Sequence, residues 1–157
     1  MLHLIPAPLH RAGLRLAHAL RKRWWRLRKP RLQGCRVLAI DGAGRILLIR
    51  HSYGSGQWMP PSGGLRRGEA PLVAAVRELR EEAGCGLDAA AQVALIVEAL
   101  HGTGNAVHVI AGRATGAVRP DGREVIAAAF FALDALPGDM PAGLRADLPG
   151  WVAAYRG

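Results

Sequence analysis

The sequence predicts an α+β domain that follows a basic helical arm. Apolar, branched runs separated by turn signals begin at Gly34 and predict strands. An amphipathic helix with a glycine at its end covers roughly residues 69–83, and further helical patterns lie at both ends of the chain. The 157 residues suffice for one domain with a buried core. We therefore divide the chain into an arm, residues 1–31, and a domain, residues 32–157.

The arm is set apart by its charge. Residues 1–36 contain ten Lys or Arg and no Asp or Glu, whereas residues 37–157 contain eleven basic and twelve acidic residues, a net charge of −1. Since the excess positive charge lies in the arm, we do not expect a stable nucleic-acid complex. Its apolar residues recur at helical spacing in a basic amphipathic helix that ends before Pro30: Leu9, Leu16, Leu20, Trp24 and Leu27.

Two roles for this arm remain open. Its Leu and Trp face either docks on the domain or on a second subunit, which would give a homodimer, or makes a peripheral contact with an anionic membrane. Because every motif described below follows the arm, we expect the arm to be separable from catalysis. Charges interrupt each apolar window of about 18 residues, so no transmembrane span is expected. The two cysteines lack metal-type spacing and predict reduced core thiols, with the cytoplasm as the location.

The domain begins with a predicted hairpin. Cys35–Ile40 and Arg45–Arg50 flank a glycine-rich turn. A flexible loop at 51–56, a short strand at Trp58–Met59 and a turn at 60–62 follow. The remaining predicted strands and short helices come after the polar helix: strands 92–100, 107–114 and 124–133, and helices 144–148 and 151–155.

The polar helix places three acids together. Pro71 suits the first turn, and Gly84 suits a left-handed C-terminal cap. At about 100° per residue, one side carries an apolar stripe and the opposite side carries acids. The stripe comprises Leu72, Val76, Leu79 and Ala83, and the acids are Glu78, Glu81 and Glu82.

An acidic helix face is often only a solvated surface, but two magnitudes count against that interpretation. Acids near the C-terminus oppose the helix dipole by about 0.3–1 kcal/mol each. Like charges about 6 Å apart repel by roughly 3 kcal/mol at an effective dielectric constant of about 20. We therefore expect a compensating cation. Mg²⁺ prefers carboxylate oxygens and bridges to phosphate, and Mn²⁺ is an alternative.

Residues 63–85 read GGLRRGEAPLVAAVRELREEAGC. Gly63, Glu69 and the run 77–85 resemble the Nudix box of the MutT-like Nudix pyrophosphohydrolases at each fixed position. More weakly, 45–61 resembles the strand and loop that lead into the box in that family, and 130–134 resembles a late strand. The resemblance implies an α/β/α sandwich with a mixed central sheet. It also implies metal-dependent hydrolysis of a pyrophosphate bond in a nucleoside diphosphate linked to another moiety. The alternatives are a catalytically silent nucleotide-binding domain and a metal-dependent isomerase on the same fold.

The resemblance also assigns roles to individual residues. It implies that the metal ligands are Glu78, Glu81, Glu82 and the backbone carbonyl of Ser62. The i, i+3, i+4 spacing of the three acids independently allows them to reach one cluster. Arg77 is assigned to the catalytic set and is expected to pair with Glu69. Two departures from the family pattern are Ser62, where glycine is usual, and Arg66, where an acid is often found.

Substrate contacts and the general base are less constrained. We assign substrate binding to Arg50, Tyr53, Gly63 and Gly64. The base remains open between Glu78 and two acids outside the box, Glu98 and Glu124. His51 either touches phosphate or is an ordinary hydrogen-bonded loop residue.

Overall fold

The computed structural model describes residues 12–18, 20, 32–100 and 103–156. The strands are β1 (Leu32–Ile40), β2 (Ile46–His51), β3 (Ser62–Gly64), β4 (Gly86–Leu100), β5 (Thr103–Thr115) and β6 (Val125–Phe131). The helices are α1, of which residues 12–18 and 20 are described, α2 (Pro71–Ala83) and α3 (Ala142–Arg156), with a 3-10 turn at Leu133–Ala135. The predicted helical stretch at Leu9, Trp24 and Leu27 lies outside the described residues.

Within the described residues, six strands form one mixed sheet in the order β4-β5-β1-β2-β6, with β3 pairing to β1. Strand β1 runs parallel to β5 and antiparallel to β2 and β3. The pairing of Cys35 with Gly63 brings the glycine loop onto the central strand. The sheet thus holds the loop beside the second half of the polar helix, where Arg77, Glu78 and Glu82 lie.

Helices cover both faces of this sheet. Because side chains alternate along β1, Val37 and Ala39 pack under α2 with Leu79, whereas Leu38 and Ile40 pack under α3. These two cores make the predicted α/β/α sandwich, and the predicted fold class is confirmed. Among the described residues, no helix has both the length and the apolarity needed to cross a membrane.

Four local predictions differ from the structure. The strand predicted at 92–100 begins earlier, at Gly86, because that residue already pairs with β5. The predicted turn at 60–62 gives way at Ser62 to strand β3, because that residue pairs with Arg36 of β1. Trp58–Met59 makes only a bridge, between Met59 and Ile49. The two predicted C-terminal helices are one helix, α3, which continues through Pro149. The buried Leu148 and Val152, on either side of that proline, keep one packed face on the sheet.

The predicted division of α2 into an apolar stripe and an opposite acidic face is wrong at two positions. Leu72 is 40% exposed, whereas Glu82 is only 7% exposed. The helix packs through its small residues Ala74 and Ala75 together with Leu79, which rotates the buried face toward Glu82. Glu82 is therefore part of the packed interior and not of a solvated surface.

The described part of the arm also contacts the domain differently from the prediction. Leu16 and Leu20 are 63% and 59% exposed, so these two leucines do not dock on the domain. Instead, Arg15 and His18 contact the loop after β2. The predicted boundary at residue 31, the homodimer and the membrane contact remain predictions.

Candidate active site

Arg77 ties the glycine loop to helix α2. Its Nε and Nη2 atoms donate to the two carboxylate oxygens of Glu69, at 2.8 and 2.9 Å, and Nη2 also donates to the carbonyl of Gly64 at 3.1 Å. Glu69 in turn accepts from the backbone amide of Arg66 at 2.8 Å. A planar guanidinium is suited to this two-oxygen contact. The predicted pairing of Arg77 with Glu69 is therefore present, and it connects the loop to the helix.

The same guanidinium lies between two of the predicted metal ligands. Its Nη1 atom is 2.6 Å from an oxygen of Glu78 and 3.3 Å from an oxygen of Glu81. Both carboxylates thus converge on one nitrogen. Arg66, at the position where an acid is often found, also reaches Glu81, at 3.4 Å. Part of the expected compensation of the acidic face therefore comes from arginines of the chain itself.

Glu82 is held by groups from two other elements. One carboxylate oxygen lies 2.7 Å from Nε2 of His51, at the end of β2. The other accepts from the backbone amide of Ser62 at 3.0 Å. The peptide of Ser62 therefore faces Glu82, in extended backbone of β3. The chain thus satisfies this buried carboxylate of α2 from two strands, β2 and β3.

Burial controls the charge of these groups. It raises the pKa of the Glu78 carboxyl, and the hydrogen bond from Arg77 offsets this only in part. Burial also raises the pKa of Glu82, against the opposing contacts of His51 and Ser62. Burial disfavours the protonated form of His51, but the hydrogen bond and charge of Glu82 outweigh it and raise the pKa of His51. Two carboxylates are thus held in a site that disfavours uncompensated negative charge.

Gly63 leaves the space that Glu78 occupies. A Cβ added to Gly63 would overlap the carboxylate of Glu78. The backbone of the loop and this side chain are consequently in closer contact than any residue other than glycine permits. The glycine at the start of the box is required by packing against an acid of the helix.

The donor set fits a hard divalent cation by its chemistry. Three carboxylates and a neighbouring backbone peptide supply oxygen ligands, and two of the carboxylates already converge on a cationic nitrogen. As the side chains lie, no group of three or more His, Cys, Asp or Glu within residues 12–18, 20, 32–100 and 103–156 is arranged as a ligand set. Arg77 and His51 hold these carboxylates instead.

The loop that follows β2 borders the site through Tyr53, which contacts both Glu124 and His51. The hydroxyl of Tyr53 donates to Glu124 at 2.9 Å, and its ring centroid lies 4.9 Å from that of His51. The amide of Ser52 donates to the carbonyl of Glu124 at 2.9 Å. The charge of Glu124 contributes to the raised pKa of Glu78 and of His51, so Glu124 belongs to the same electrostatic environment.

Two of the sequence-predicted residues lie elsewhere. Arg50 donates to the carbonyl of Gly56 at 2.8 Å and to Asp139 at 3.1 Å, and it lies over the ring of Trp58. Glu98 accepts from Arg36 at 2.9 Å. Alternation along β1 puts Arg36 on the α3 side of the sheet, whereas Cys35 faces α2. Neither Arg50 nor Glu98 is brought to the carboxylates of α2.

His51 is the contact that sequence reasoning left undecided. Its partner Glu82 lies 31 positions away, and nothing in the local pattern relates the two. The only signal was position, since His51 follows an apolar strand just before a glycine-containing loop. Such a position is typical of functional residues but does not identify a partner.

Comparison with known proteins agrees with this geometry. The family model described as the NUDIX domain matches residues 30–155. A MutT NUDIX hydrolase from Burkholderia pseudomallei superposes with a TM-score of 0.68 at 28% identity, covering 76% of this chain and 97% of that chain. An ADP-ribose pyrophosphatase from Streptococcus suis shares the fold, with a TM-score of 0.61 at 24% identity over 82% of this chain and 94% of that chain.

A shorter match comes from sequence. An RNA pyrophosphohydrolase from Teredinibacter turnerae is 40% identical over 48 residues, which are 31% of this chain and 28% of that protein. The matched segment thus spans less than a third of the relative. The family model, in contrast, covers most of the chain, and the resemblance noted in the sequence is confirmed. This chain belongs to the NUDIX family of hydrolases.

Proposed function

We propose that the protein hydrolyses a pyrophosphate bond in a nucleoside diphosphate linked to another moiety, with Mg²⁺ as the metal. The observation that carries this proposal is that Glu78 and Glu81 meet at one nitrogen of Arg77 beside the glycine loop, while Glu82 of the same helix accepts from the amide of Ser62 next to that loop. The names of two similar proteins, an RNA pyrophosphohydrolase and an ADP-ribose pyrophosphatase, both refer to pyrophosphate groups, which supports the same bond type here.

The three carboxylates and the carbonyl of Ser62 are the groups that would hold the metal. A bound Mg²⁺ supplies charge neutralisation at phosphate oxygens and activation of a water. Glu82 is already oriented by His51 and the amide of Ser62. Such support from neighbouring groups is what fixes a ligand in a defined direction.

Arg77 acts as a positioning residue in this proposal. It holds Glu69, the carbonyl of Gly64 and the two carboxylates Glu78 and Glu81 in one network. The loop that contains Gly63 and Gly64 is thereby kept next to the acids. A substrate phosphate can approach the backbone at Gly64, where a Cβ would meet only the carbonyl of Gln33, at 3.9 Å, whereas Glu78 fills the space beside Gly63.

Glu124 is our proposed general base. Of the two acids outside the box, Glu98 lies on the α3 face, whereas Glu124 shares the environment of Glu78 and His51. The hydroxyl of Tyr53 fixes one carboxylate oxygen of Glu124. A carboxylate held in this way is a group that can accept a proton from a water. In this proposal Tyr53 contacts the substrate from the same loop.

The test is release of phosphate or nucleotide across a panel of nucleoside diphosphate derivatives and 5′-phosphorylated RNA, with and without Mg²⁺. We expect hydrolysis of at least one member that depends on Mg²⁺ and is lost in Glu81→Gln. Binding of a nucleotide without turnover of any member would instead support a silent binding domain. Conversion of a compound of the panel to an isomer, without hydrolysis, would support an isomerase.

The compartment is part of the same proposal. Cys35 and Cys85 are both free and buried, which is consistent with a reducing environment. We therefore propose that the reaction takes place in the cytoplasm. Localisation of the tagged full chain by microscopy tests this, and retention at a membrane would contradict it.

A further inference from the structure

Helix α1 reaches the loop that follows β2. The Nε atom of Arg15 donates to the backbone carbonyl of Ser52 at 3.0 Å. One turn further, the ring centroid of His18 lies 5.3 Å from that of Tyr53. The exposed Leu16 and Leu20 take no part in this contact. The described part of the arm, residues 12–18 and 20, therefore meets the domain through polar side chains, at a loop that borders the carboxylates.

The contacted loop continues into the active site. The ring of Tyr53 lies against His51, which contacts Glu82 at 2.7 Å. The hydroxyl of Tyr53 and the amide of Ser52 both bind Glu124, through its side chain and its carbonyl. A continuous series of contacts thus leads from α1 to a predicted metal ligand and to the proposed base.

The position of the Ser52 carbonyl depends on its hydrogen bond from Arg15. Ser52 is buried, and its own hydroxyl has no hydrogen-bond partner. A guanidinium donor at its carbonyl is a charge-assisted contact, stronger than a bond to a neutral group. Without the donor from Arg15, the carbonyl of Ser52 would lose its anchor, while the amide of Ser52 would keep its bond to Glu124. The orientation of Tyr53 would then be less defined.

We propose that Arg15 and His18 are positioning residues of the active site, which hold Ser52 and Tyr53 so that Tyr53 meets the substrate. This inference rests on the proposed function, since Tyr53 is a substrate contact only if the site binds substrate. It also means that the arm is not separable from catalysis, contrary to the expectation from charge alone.

The variants are made in the full chain. Arg15→Ala is expected to raise KM about fivefold with kcat within about twofold, the effect of one hydrogen bond that positions substrate. Arg15→Lys retains a donor and should restore most of the affinity. Two controls match it: Leu16→Ala, which changes an exposed residue of the same helix, and Arg113→Ala, which removes the same charge from exposed β5. Neither control should change KM.

A double-variant cycle tests the route through the tyrosine. His18→Ala should raise KM in the wild-type background but have no further effect in a Tyr53→Ala background, because its action passes through that ring. Additive effects of the two substitutions would overturn the proposed route. If Arg15→Ala and Leu16→Ala lowered kcat by the same amount and the melting temperature by the same amount, the helix would have only a structural role. That result would also overturn the proposal.

Hydrogen exchange gives a measurement that does not need turnover. The amide of Ser52 should exchange faster in Arg15→Ala than in wild type, Leu16→Ala or Arg113→Ala, because its loop has lost one anchor. Unchanged exchange in Arg15→Ala would overturn the inference. If wild type hydrolyses no member of the panel but exchange responds as expected, then the proposed function fails while the contact between α1 and the loop is supported.

Discussion

At the scale of single residues, neighbouring acids in α2 have different surroundings. The side chain of Glu81 is 52% exposed, whereas that of Glu82 is 7% exposed and packed between His51 and Ser62. Burial raises the pKa of Glu82, so the folded protein carries this charge at a cost to its stability at neutral pH. Two adjacent residues expected to act together on a metal thus differ in what they do to the fold.

Glu81→Gln and Glu82→Gln should both abolish metal-dependent turnover, but only Glu82→Gln should stabilise the metal-free protein. We expect an increase of about 1 kcal/mol, or about 2–4 °C in melting temperature, since the neutral amide relieves the burial of charge. Calorimetry without metal, with Glu81→Gln as the exposed control, measures the difference. A lower melting temperature for Glu82→Gln would show that its bonds to His51 and Ser62 dominate.

Arg77→Lys keeps the positive charge but cannot make the two-oxygen contact with Glu69. Turnover should fall by about tenfold or more, because the loop and the acids lose their common partner. Amides of residues 62–65 should exchange faster with solvent in the variant. Loss of turnover with unchanged exchange would contradict the positioning role of Arg77.

The carboxyl group of Glu69 makes the stability of the glycine loop depend on pH. Hydrogen bonds from Arg77 and from the amide of Arg66 lower the pKa of Glu69 from 4.5 to about 2. A depressed pKa contributes stability that is complete above the unfolded value and is lost as pH falls toward the folded value. Glu69→Gln should therefore be less stable than wild type at pH 6, and the difference should shrink between pH 4.5 and about 2. Urea denaturation midpoints at several pH values test this, and a constant difference would contradict it.

At the scale of the element, the end of α2 is set by Gly84. Its φ of 72° is left-handed, and its amide donates to the carbonyl of Arg80 at 3.0 Å. A Cβ there would also come within 2.8 Å of the carbonyl of Arg119. The cap is therefore both a backbone requirement and a packing requirement.

Gly84→Ala should destabilise the protein more than Gly116→Ala. Both residues have positive φ, which costs an alanine about 1–2 kcal/mol, but Gly116 has open space where a Cβ would lie. The difference between the two free energies of unfolding measures the contact with Arg119. Equal losses would show that backbone conformation alone requires the glycine.

At the scale of the whole molecule, the sheet is covered by α2 on one face and α3 on the other, and each core contains residues from several strands. Both cysteines lie within the α2 core, at 1% and 3% exposure. Burial raises the pKa of the Cys35 thiol to about 11 and also raises that of Cys85. Neither thiol is available as a thiolate while the domain stays folded.

The folded protein should therefore react slowly with a thiol reagent at pH 8, and both thiols should react at once in denaturant. Spectrophotometric titration of released thiolate measures this. The reaction rate in native buffer should follow unfolding, and Gly84→Ala, as a destabilised form, should react faster. A thiol that reacts rapidly in the native wild type would contradict the buried placement.

The sequence by itself determined the features that depend on neighbouring positions. The end of α2 at Gly84, the succession of strands and helices along the chain and the presence of Glu78, Glu81 and Glu82 on one helix all follow from periodicity and from residues within a few positions of one another. The family resemblance also rested on such a local run. These patterns are local because helix spacing and caps involve only one or two turns.

Tertiary structure alone decided which acid is buried and what each group contacts. His51 contacts Glu82, Tyr53 contacts Glu124, and Glu98 pairs with Arg36 on the other face of the sheet. The two residues of each pair lie 31 to 71 positions apart in sequence. Strand β3 and the contact of Arg15 with Ser52 have the same origin. Register between strands and the face to which a side chain points depend on the packing of distant segments, which no local pattern specifies.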